Sequence, residues 1–507
     1  MMSCKLARHH DFDAKRMISE ISVSDAADLR ATFVDAGYNE NELQAKFGTA
    51  APPAPHEVQA RLYATREVSA QNALVRLFLL GVTLDRNAAT EALPKTFVDL
   101  AQRVGLISEE ENRLIANVVV VPVGKVLFAS DAFRVLGSDE RSEFVVPAKN
   151  SAADFLRRLT IRERVGTVLD LGCGCGVHAL LAAEHSDSVV ATDISADAAA
   201  YTRFNARLND IRNIDVLVGD LFEPVAGRSF DLILCNPPFI IGPTSDFTYR
   251  DNPMELDDFC KLIAREGATH LNDGGHLQML SEWVETADQL ARERVGEWVQ
   301  GLGCDAWVLR GVPKSPARYV AGRLTDLAGA DYKPATGYED WLTYFEDRGV
   351  VAINPGMLVL RRRKADNWFH MLTVPGEPVD ESGSAVSDRI AACDFLELCE
   401  DEESLLDATL RIPASIELEQ RYTRSDAGWQ SQRVALQITS GLSLETEIDL
   451  PILAFLNQVD GSRSVRDCIN TFCELTAAEP GELTRQLLPA IRLFIGNGVL
   501  EAADLAT

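Results

Sequence analysis

The sequence predicts an α/β fold built around an open, mostly parallel β-sheet, with a further domain on each side. Three observations predict it. Short apolar, β-branched runs alternate with segments of helical composition between residues 150 and 363. A glycine-rich turn follows the first of these runs directly. Several runs end in an acidic or amide residue, and the carboxyl ends of parallel strands meet at one edge of a sheet.

The first predicted strand leads into the glycine-rich turn. Thr167–Leu171 is apolar and β-branched, which is typical of a buried parallel strand. Gly172, Gly174 and Gly176 follow at once, and His178–Ala183 then has helical composition. This order begins a βαβ unit, in which missing Cβ atoms let a ligand approach the backbone. Alone it is a weak indication of a nucleotide site, because glycines after a strand form tight turns in many folds.

Polar residues end the next three predicted strands, which are residues 188–192, 215–218 and 230–235. Asp193 ends the first of them, where a carboxylate accepts hydrogen bonds from a ribose. Asp220 follows the second, where a carboxylate meets an adenine amino group. Asn236 follows the third at the same edge of the sheet. A single Asp in such a place is more often a strand-end cap, but four features in this order favour a nucleotide-containing cofactor.

The fourth strand is followed by a short polar and aromatic segment, Asn236-Pro237-Pro238-Phe239. The two prolines stiffen the backbone and remove N–H donors that would compete for a substrate. Phe239 offers an apolar face for stacking on a flat group. An Asn-Pro-Pro sequence is usually only a turn, so its meaning depends on the glycine loop that precedes it.

Together these motifs resemble the class I S-adenosylmethionine-dependent methyltransferases. The segments that carry the resemblance are VLDLGCGCG, ATDIS, FNARLN, GDLFEPV and FDLILCNPPF. The last is similar to the amino-group branch, which carries Asn-Pro-Pro before Tyr or Phe. That branch includes protein glutamine methyltransferases acting on release factors, guanine-N2 and adenine-N6 RNA methyltransferases, and adenine-N6 DNA methyltransferases. Over roughly residues 150–360, the resemblance implies a Rossmann-like core with a mostly parallel seven-stranded sheet and S-adenosylmethionine as cofactor.

The resemblance also implies which residues form the site. In the branch, the Asn side-chain oxygen and the first Pro carbonyl accept hydrogen bonds from the target NH₂ group. The implied acceptor-binding residues are Asn236, Pro237, Pro238 and Phe239. The implied cofactor-binding residues are Asp170, Gly172, Gly174, Gly176, Asp193, Ile194, Asp220, Leu221 and Asn236. Cys173 and Cys175 form a C-x-C pair, but no second cysteine pair lies nearby, so we predict no metal site.

We divide the chain into three predicted domains: 1–149, 150–363 and 364–507. In the first, residues 24–33, 40–47, 56–80, 94–104 and 108–115 have helical patterns. Residues 117–128 read as a hairpin, so that this domain resembles a winged helix. It is either a module that recognises substrate or partner, or a structural cap on the catalytic sheet.

The catalytic domain is predicted to continue past the Asn-Pro-Pro segment. Residues 256–270 read as a helix and residues 275–280 and 306–310 as strands, with a closing antiparallel pair at 350–353 and 357–361. Residues 377–387 look like a linker. The acidic α+β domain after it has β-like stretches at 408–418 and 433–439. It ends in a three-helix pattern at 451–457, 465–475 and 481–495, which we compare with a small winged helix.

Composition predicts a cytoplasmic enzyme. No run of apolar residues is long enough to span a membrane, the N-terminus has no apolar core of a secretory signal, and ten scattered cysteines are typical of reduced thiols. The net charge of −27 is uneven. Residues 1–150 carry 17 basic and 20 acidic groups, residues 151–363 carry 22 and 31, and residues 364–507 carry 10 and 25.

This acidity ranks the substrate classes, since phosphate neutralisation supplies much of the affinity for nucleic acid. We favour a macromolecular substrate with a protein glutamine side chain as acceptor, and a protein partner for the acidic C-terminal domain. RNA is second, because Phe239 replaces the Tyr usual in glutamine methyltransferases. The arginines at 157, 158, 162 and 164 form either a basic patch or, as we prefer, a solvated helix face. A non-catalytic assembly factor that retains the cofactor fold is a third hypothesis.

Overall fold

The computed structural model describes residues 18–132, 144–243, 249–328, 337–374, 376, 378, 382–426 and 428–503. Within them the helices are α1 Val23–Asp35, α2 Glu40–Phe47, α3 Val58–Ala64, α4 Ala70–Leu74, α5 Arg86–Ala92, α6 Lys95–Arg103, α7 Ser151–Leu159, α8 Val177–Ala182, α9 Ala196–Leu208, α10 Asp258–Thr269, α11 Ala291–Val299, α12 Pro316–Ala328, α13 Tyr338–Glu346, α14 Gly383–Leu398, α15 Glu402–Asp407, α16 Leu450–Leu456, α17 Val465–Thr476 and α18 Pro480–Asn497. A π-helical turn, Val75–Leu79, continues α4.

The strands of the same residues are β1 Leu84–Asp85, β2 Ile107–Glu110, β3 Arg113–Ala116, β4 Val118–Val123, β5 Val126–Asp131, β6 Val165–Leu171, β7 Ser186–Asp193, β8 Ile214–Val218, β9 Phe230–Cys235, β10 Leu271–Thr286, β11 Cys304–Arg310, β12 Val350–Arg362, β13 Phe369–Thr373, β14 Leu410–Arg411, β15 Ile416–Ser425, β16 Gly428–Ile438, β17 Glu445–Ile448 and β18 Glu501–Ala502.

The predicted α/β fold is confirmed by the largest sheet. Its strand order is β13-β11-β12-β10-β9-β6-β7-β8, and β8, β7, β6, β9 and β10 are mutually parallel. Alternate residues of β9 enter two different cores, Leu232 and Leu234 one of them and Ile233 and Cys235 the other. A strand that is buried on both faces must be apolar throughout, which is why its sequence showed no polar alternation.

The sheet has eight strands, where the sequence predicted seven. The additional edge strand, β13, pairs in parallel with β11 through Ala306 to Arg310. It lies beyond residue 363, so the strands of the sheet extend past the predicted end of the catalytic domain. The division into three domains stays a prediction.

The predicted antiparallel pair at 350–353 and 357–361 is wrong, because both segments belong to the single strand β12. Asn354-Pro355-Gly356 is a turn signal. Here β12 pairs with β10 on one side and with β11 on the other, and these two ladders hold it extended. Only glycine fits at Gly356, since a Cβ atom there would lie 2.2 Å from the Leu309 carbonyl oxygen and 2.4 Å from the Trp283 ring.

The N-terminal region combines helices with two separate hairpins, of which the sequence predicted one. Residues 108–115 were predicted as a helix and instead form the hairpin β2–β3, which pairs with β1 in the order β1-β3-β2. The turn residues Glu111 and Asn112 have φ of 49° and 65°, values that a two-residue hairpin turn requires and a helix excludes. The hairpin predicted at 117–128 is confirmed as β4–β5, which forms a separate two-stranded sheet.

The C-terminal region is α+β, as predicted, and packs on the catalytic core. Part of the predicted linker is helical, since α14 begins at Gly383. Its Val386 and Ile390 share a hydrophobic cluster with Leu156 of α7 and Trp307 of β11. The three predicted helices are confirmed as α16, α17 and α18. They end in the two-residue strand β18, which pairs with β14 rather than forming a wing.

None of the helices among the described residues is both long enough and apolar enough to cross a lipid bilayer.

Candidate functional site

The strand register brings the predicted site residues to one edge of the sheet. Leu171 of β6 pairs with Thr192 of β7 and with Cys235 of β9, so Gly172, Asp193 and Asn236 are the next residues on three adjacent strands. Asp193 pairs in turn with Val218 of β8, and Gly219 and Asp220 follow it. The edge is the carboxyl end of the parallel strands, where open α/β sheets bind their ligands.

The glycine loop needs glycine for its backbone conformation. Gly172, Gly174 and Gly176 have φ of 74°, 55° and 83°, in the left-handed region that L side chains rarely adopt. Gly176 is also close to its neighbours, because a Cβ atom there would lie 2.9 Å from both Leu180 and Thr202. The loop therefore enters α8 with its backbone exposed toward the sheet edge, and Gly172 itself is exposed.

Polar side chains hold the loop from two directions. One oxygen of Asp193 accepts from the Gly174 N–H at 2.9 Å, and the other accepts from the Ser195 N–H at 2.9 Å. From α9, Thr202 donates to the Gly174 carbonyl at 3.0 Å and Asn205 donates to the Cys175 carbonyl at 2.9 Å. We did not single out these two α9 residues from the sequence. Their signal is polar side chains three residues apart on a helix face that is fully buried.

Asp170 is a fully buried carboxyl at the end of β6. Its Oδ2 accepts from the Ala179 N–H at 2.8 Å, while its Oδ1 has no hydrogen-bond partner among the described residues. Burial, and after it the nearby charge of Asp193, raises the pKa of Asp170 to about 7. A cationic group bound at the loop would find an unpaired carboxylate oxygen here. The ammonium of a methionine moiety supplies such a cation, so the residues fit the cofactor.

Asp170 should make the stability of the cofactor-free protein depend on pH. Its folded pKa, about 7, lies above the ordinary 3.8. The protonated carboxyl therefore contributes stability fully below about pH 4, and this contribution is lost as the pH rises through about 7. Asp170→Asn cannot ionise, so we expect the variant to gain free energy of unfolding relative to the parent across this interval. Urea unfolding at several pH values measures it. Parallel pH curves for parent and variant would contradict the expectation.

The predicted adenosine side of the site is more open. Asp220 is exposed, Leu221 is half-buried and has a φ of 42°, and Ile194 is 68% exposed. An apolar side chain so exposed between two strand ends is available to pack against a flat ring. The roles of these residues stay predictions.

The C-x-C pair lies inside the loop and is buried. Burial raises the pKa of the Cys173 thiol far above its ordinary range and that of Cys175 to about 12. Cys173 Sγ also lies 3.3 Å from Oγ1 of Thr202, the hydroxyl that donates to the Gly174 carbonyl. Both cysteines belong to the hydrophobic cluster that contains Val177 and Leu180 of α8.

The Asn-Pro-Pro-Phe segment leaves β9 beside the glycine loop. Asn236 is half-buried, and within the described part of the chain its side-chain amide has no hydrogen-bond partner. Pro237 is buried and Phe239 is half-buried. Phe239 packs against three hydrophobic clusters, which fix its ring at their junction. The segment thus presents a free amide beside a fixed aromatic side chain.

Residues 249–251, described again after a gap at 244–248, pack back toward the backbone that follows Phe239. Ile240 forms a parallel bridge with Asp251, and the Ile240 N–H donates to the Arg250 carbonyl at 3.0 Å. Asp251 is buried and pairs with Arg250 at 2.8 Å. Tyr249 packs edge-on against Phe144. These contacts hold Arg250 and Asp251 against the backbone that follows Phe239.

The arginines before the glycine loop differ in burial, from the buried Arg157 to the exposed Arg164. Arg157 is buried and its Nε donates to Asp154 at 3.2 Å. Arg158 donates to the Pro378 carbonyl and Arg162 to the Arg157 carbonyl. Arg164 pairs with Asp187. Our preference for a solvated face was therefore wrong for Arg157.

Comparison with known families matches three parts of the chain. Residues 150–298 match the methyltransferase small domain. Residues 35–117 and 389–502 each match a domain of unknown function.

Curated relatives match the same central part. The release factor glutamine methyltransferase of Aquifex aeolicus is 33% identical over 131 residues, which are 23% of this chain and 46% of the relative. The ribosomal RNA small subunit methyltransferase C of Salmonella arizonae is 36% identical over 118 residues, 23% of this chain and 31% of the relative. The chain thus spans less than half the length of these relatives. A solved rRNA methylase from Streptococcus thermophilus is 15% identical with a TM-score of 0.25, over 43% of this chain and 100% of that one.

Residues 150–298 therefore form a class I S-adenosylmethionine-dependent methyltransferase domain of the methyltransferase small family, within a longer chain whose flanks match domains of unknown function.

Proposed function

We propose that the protein transfers a methyl group from S-adenosylmethionine to a planar NH₂ nitrogen, with a protein glutamine side chain as the acceptor. The observation that carries the proposal is the free amide of Asn236, which follows β9 directly beside the glycine loop. Its oxygen and the Pro237 carbonyl would accept hydrogen bonds from the two N–H groups of the acceptor. Phe239 would stack against the flat amide that carries them.

The reaction needs alignment more than acid–base chemistry. The nitrogen lone pair attacks the methyl carbon, the carbon–sulfur bond breaks, and S-adenosylhomocysteine leaves. The proton on nitrogen then passes to water. The cofactor supplies an activated methyl group, so the protein contributes binding and orientation. Fixing two reactants in line is worth roughly 7–11 kcal/mol in favourable cases. The two accepting oxygens turn the lone pair toward the methyl group.

Charge supports a protein acceptor over RNA. The chain carries a net charge of −27. The turn of the hairpin β2–β3 is acidic, with Glu110 and Glu111 exposed, whereas surfaces that contact nucleic acid need basic residues. Of the four arginines before the glycine loop, those at 157, 158 and 162 bond to protein groups, which leaves Arg164 as the exposed one. The Aquifex relative carries the matching name, release factor glutamine methyltransferase.

An exocyclic amine of RNA is the second candidate, supported by one surface feature. The hairpin β15–β16 is exposed along its distal half, with Trp429 69% and Tyr422 48% exposed. Arg424 lies directly opposite Trp429 in the strand register and is exposed. Aromatic and arginine side chains of this kind stack on bases of single strands. The relatives named ribosomal RNA small subunit methyltransferase C are consistent with this candidate.

A labelling experiment separates the two acceptors. The purified protein is incubated with radiolabelled S-adenosylmethionine and an extract of cells that lack its gene, and the product is digested with RNase or with protease. We expect label that protease removes and RNase leaves. Label lost to RNase would replace glutamine with the RNA amine. No label in either fraction from a protein that binds the cofactor would contradict macromolecular methyl transfer.

A further inference from the structure

A buried hydrogen-bond network holds the backbone at Ile241, two residues beyond the Asn-Pro-Pro-Phe segment. Tyr319 of α12 is 2% exposed, and its hydroxyl accepts from the Ile241 N–H at 3.0 Å. The same hydroxyl donates to Oε2 of Glu282 at 2.5 Å. Glu282 lies in β10 and is 1% exposed, and its Oε1 accepts from Arg323 at 2.5 Å. The chain of bonds joins the loop, the sheet and α12.

The state of the network is fixed by its charges. Burial, and then the carboxylate of Glu282, raises the pKa of Tyr319 far above its ordinary range, so its hydroxyl stays protonated and can donate. Arg323 compensates the carboxylate with a close ion pair and also lies over the Tyr319 ring at 4.9 Å. A buried carboxylate is costly unless such partners surround it. Packing alone therefore does not account for the Glu282 carboxylate behind the loop.

The loop depends on anchors just after Phe239. Pro237 and Pro238 have no N–H to donate. The first backbone donors past Phe239 are those of Ile240 and Ile241, which reach the Arg250 carbonyl and the Tyr319 hydroxyl. Because the two prolines make the backbone between Asn236 and Phe239 stiff, a rotation of the Ile241 peptide would also move Asn236.

A second helix, α13, contacts the end of the loop at Gly242 and also the nearby residue Leu256. Trp341 of α13 lies so close to Gly242 that a Cβ atom there would be 2.6 Å from its ring. The Tyr344 hydroxyl of α13 accepts a hydrogen bond from the Leu256 N–H at 3.1 Å. Tyr319, Trp341 and Phe345 pack in one cluster with Ile240 and Ile241, against which Phe239 is packed.

We propose that Tyr319 and Glu282 are positioning residues for methyl transfer: they fix the Ile241 peptide and so hold the Asn236 amide and the Pro237 carbonyl in line with the methyl donor. The proposal rests on the proposed function and concerns the same site. Neither residue contacts the reacting atoms. Their effect is on how often the acceptor nitrogen is aligned, so it falls on kcat rather than on binding of the cofactor.

Tyr319→Phe tests the proposal, because it removes the hydroxyl and keeps the ring. We expect kcat to fall by roughly 10- to 100-fold, as for displacements of about 1 Å in a reacting pair. The KM for the acceptor should change far less, and the affinity for S-adenosylmethionine should be unchanged. Initial rates are measured against a dilution series of the extract from cells that lack the gene. A kcat within two-fold of the parent, or a loss confined to KM, overturns the proposal.

Tyr38→Phe is the matched control. Tyr38 is also buried, and its hydroxyl donates to the Val120 carbonyl at 2.7 Å, far along the chain from the acceptor loop. Tyr38→Phe should lower the free energy of unfolding about as much as Tyr319→Phe does, while kcat stays at the parental value. Glu282→Gln serves if Tyr319→Phe folds poorly, since it keeps the shape and weakens the bond to Tyr319. An intermediate kcat is expected from it, and a parental kcat speaks against the network.

Hydrogen–deuterium exchange gives a readout that is independent of activity. The peptide covering residues 236–242 should exchange faster in Tyr319→Phe than in the parent, because the Ile241 N–H loses its acceptor, whereas residues 230–235 of β9 should be unchanged. Equal exchange in the loop overturns the proposal. If the parent transfers no label but the loop exchanges as expected, the proposed function fails and the positioning of the loop stands.

Discussion

Asn236→Ala is expected to lower kcat for methyl transfer about 100- to 1,000-fold, which is the loss usual for one polar group that acts on the reacting centre. The amide of Asn236 has no bonding partner among the described residues, so its removal leaves no buried group unpaired. Folding should therefore be almost unaffected, and the glycine loop should still bind the cofactor, with its affinity reduced much less than kcat because Asn236 is only one of the nine implied cofactor-binding residues. Radiolabel transfer into the extract gives the rate, and calorimetric titration with S-adenosylmethionine gives the affinity.

Asn272→Ala is a control at the opposite end of the same sheet. Asn272 is also half-buried, and its amide donates to Asp231 at 2.8 Å near the start of β9. It should retain the parental rate. The Asn236→Ala variant also tests the assembly-factor hypothesis. A strain that carries Asn236→Ala and grows like the parent, although methyl transfer is lost, would show a role that does not depend on catalysis.

Gly176→Ala is expected to weaken S-adenosylmethionine binding by roughly 10- to 100-fold. Each factor of ten corresponds to about 1.4 kcal/mol of binding free energy. The left-handed φ of 83° disfavours any side chain. The new Cβ would also lie 2.9 Å from Thr202, whose hydroxyl holds the Gly174 carbonyl. The loop must move to relieve both, and its backbone then no longer matches the ligand. Titration calorimetry measures the affinity and thermal unfolding measures the stability.

Gly227→Ala separates a local effect on the cofactor-binding loop from a general loss of stability. Gly227 has a φ of 75°, but no atom lies within 4 Å of a Cβ placed there. The control should therefore share the conformational cost and keep the cofactor affinity. If both variants lost affinity equally, global destabilisation would explain the effect. If Gly176→Ala bound the cofactor like the parent, the loop would not be the binding element.

The sequence predicted the catalytic sheet well where burial and turn chemistry agree. β9 was predicted with its observed bounds, since a continuous apolar run ends at a proline pair. The hairpin β2–β3 was mistaken for a helix because Ser108 followed by three glutamates has the composition of a helix N-terminus. Its signal was Asn112, a residue that tolerates the left-handed conformation of a tight turn. The sequence prediction split β12 in two because of a local turn signal. In the structure, the ladders on both sides of the strand outweigh that signal.

By itself, the sequence determined the α/β class, the edge at which the site lies and the residues that end β6, β7 and β9. These follow from local rules, because strand periodicity and glycine conformation depend on neighbouring residues. Only the tertiary structure decided what surrounds that edge: Thr202 and Asn205 under the glycine loop, and Tyr319 with Glu282 behind the acceptor loop. These contacts join residues far apart in the chain, and no local pattern in the sequence encodes which buried polar groups will meet.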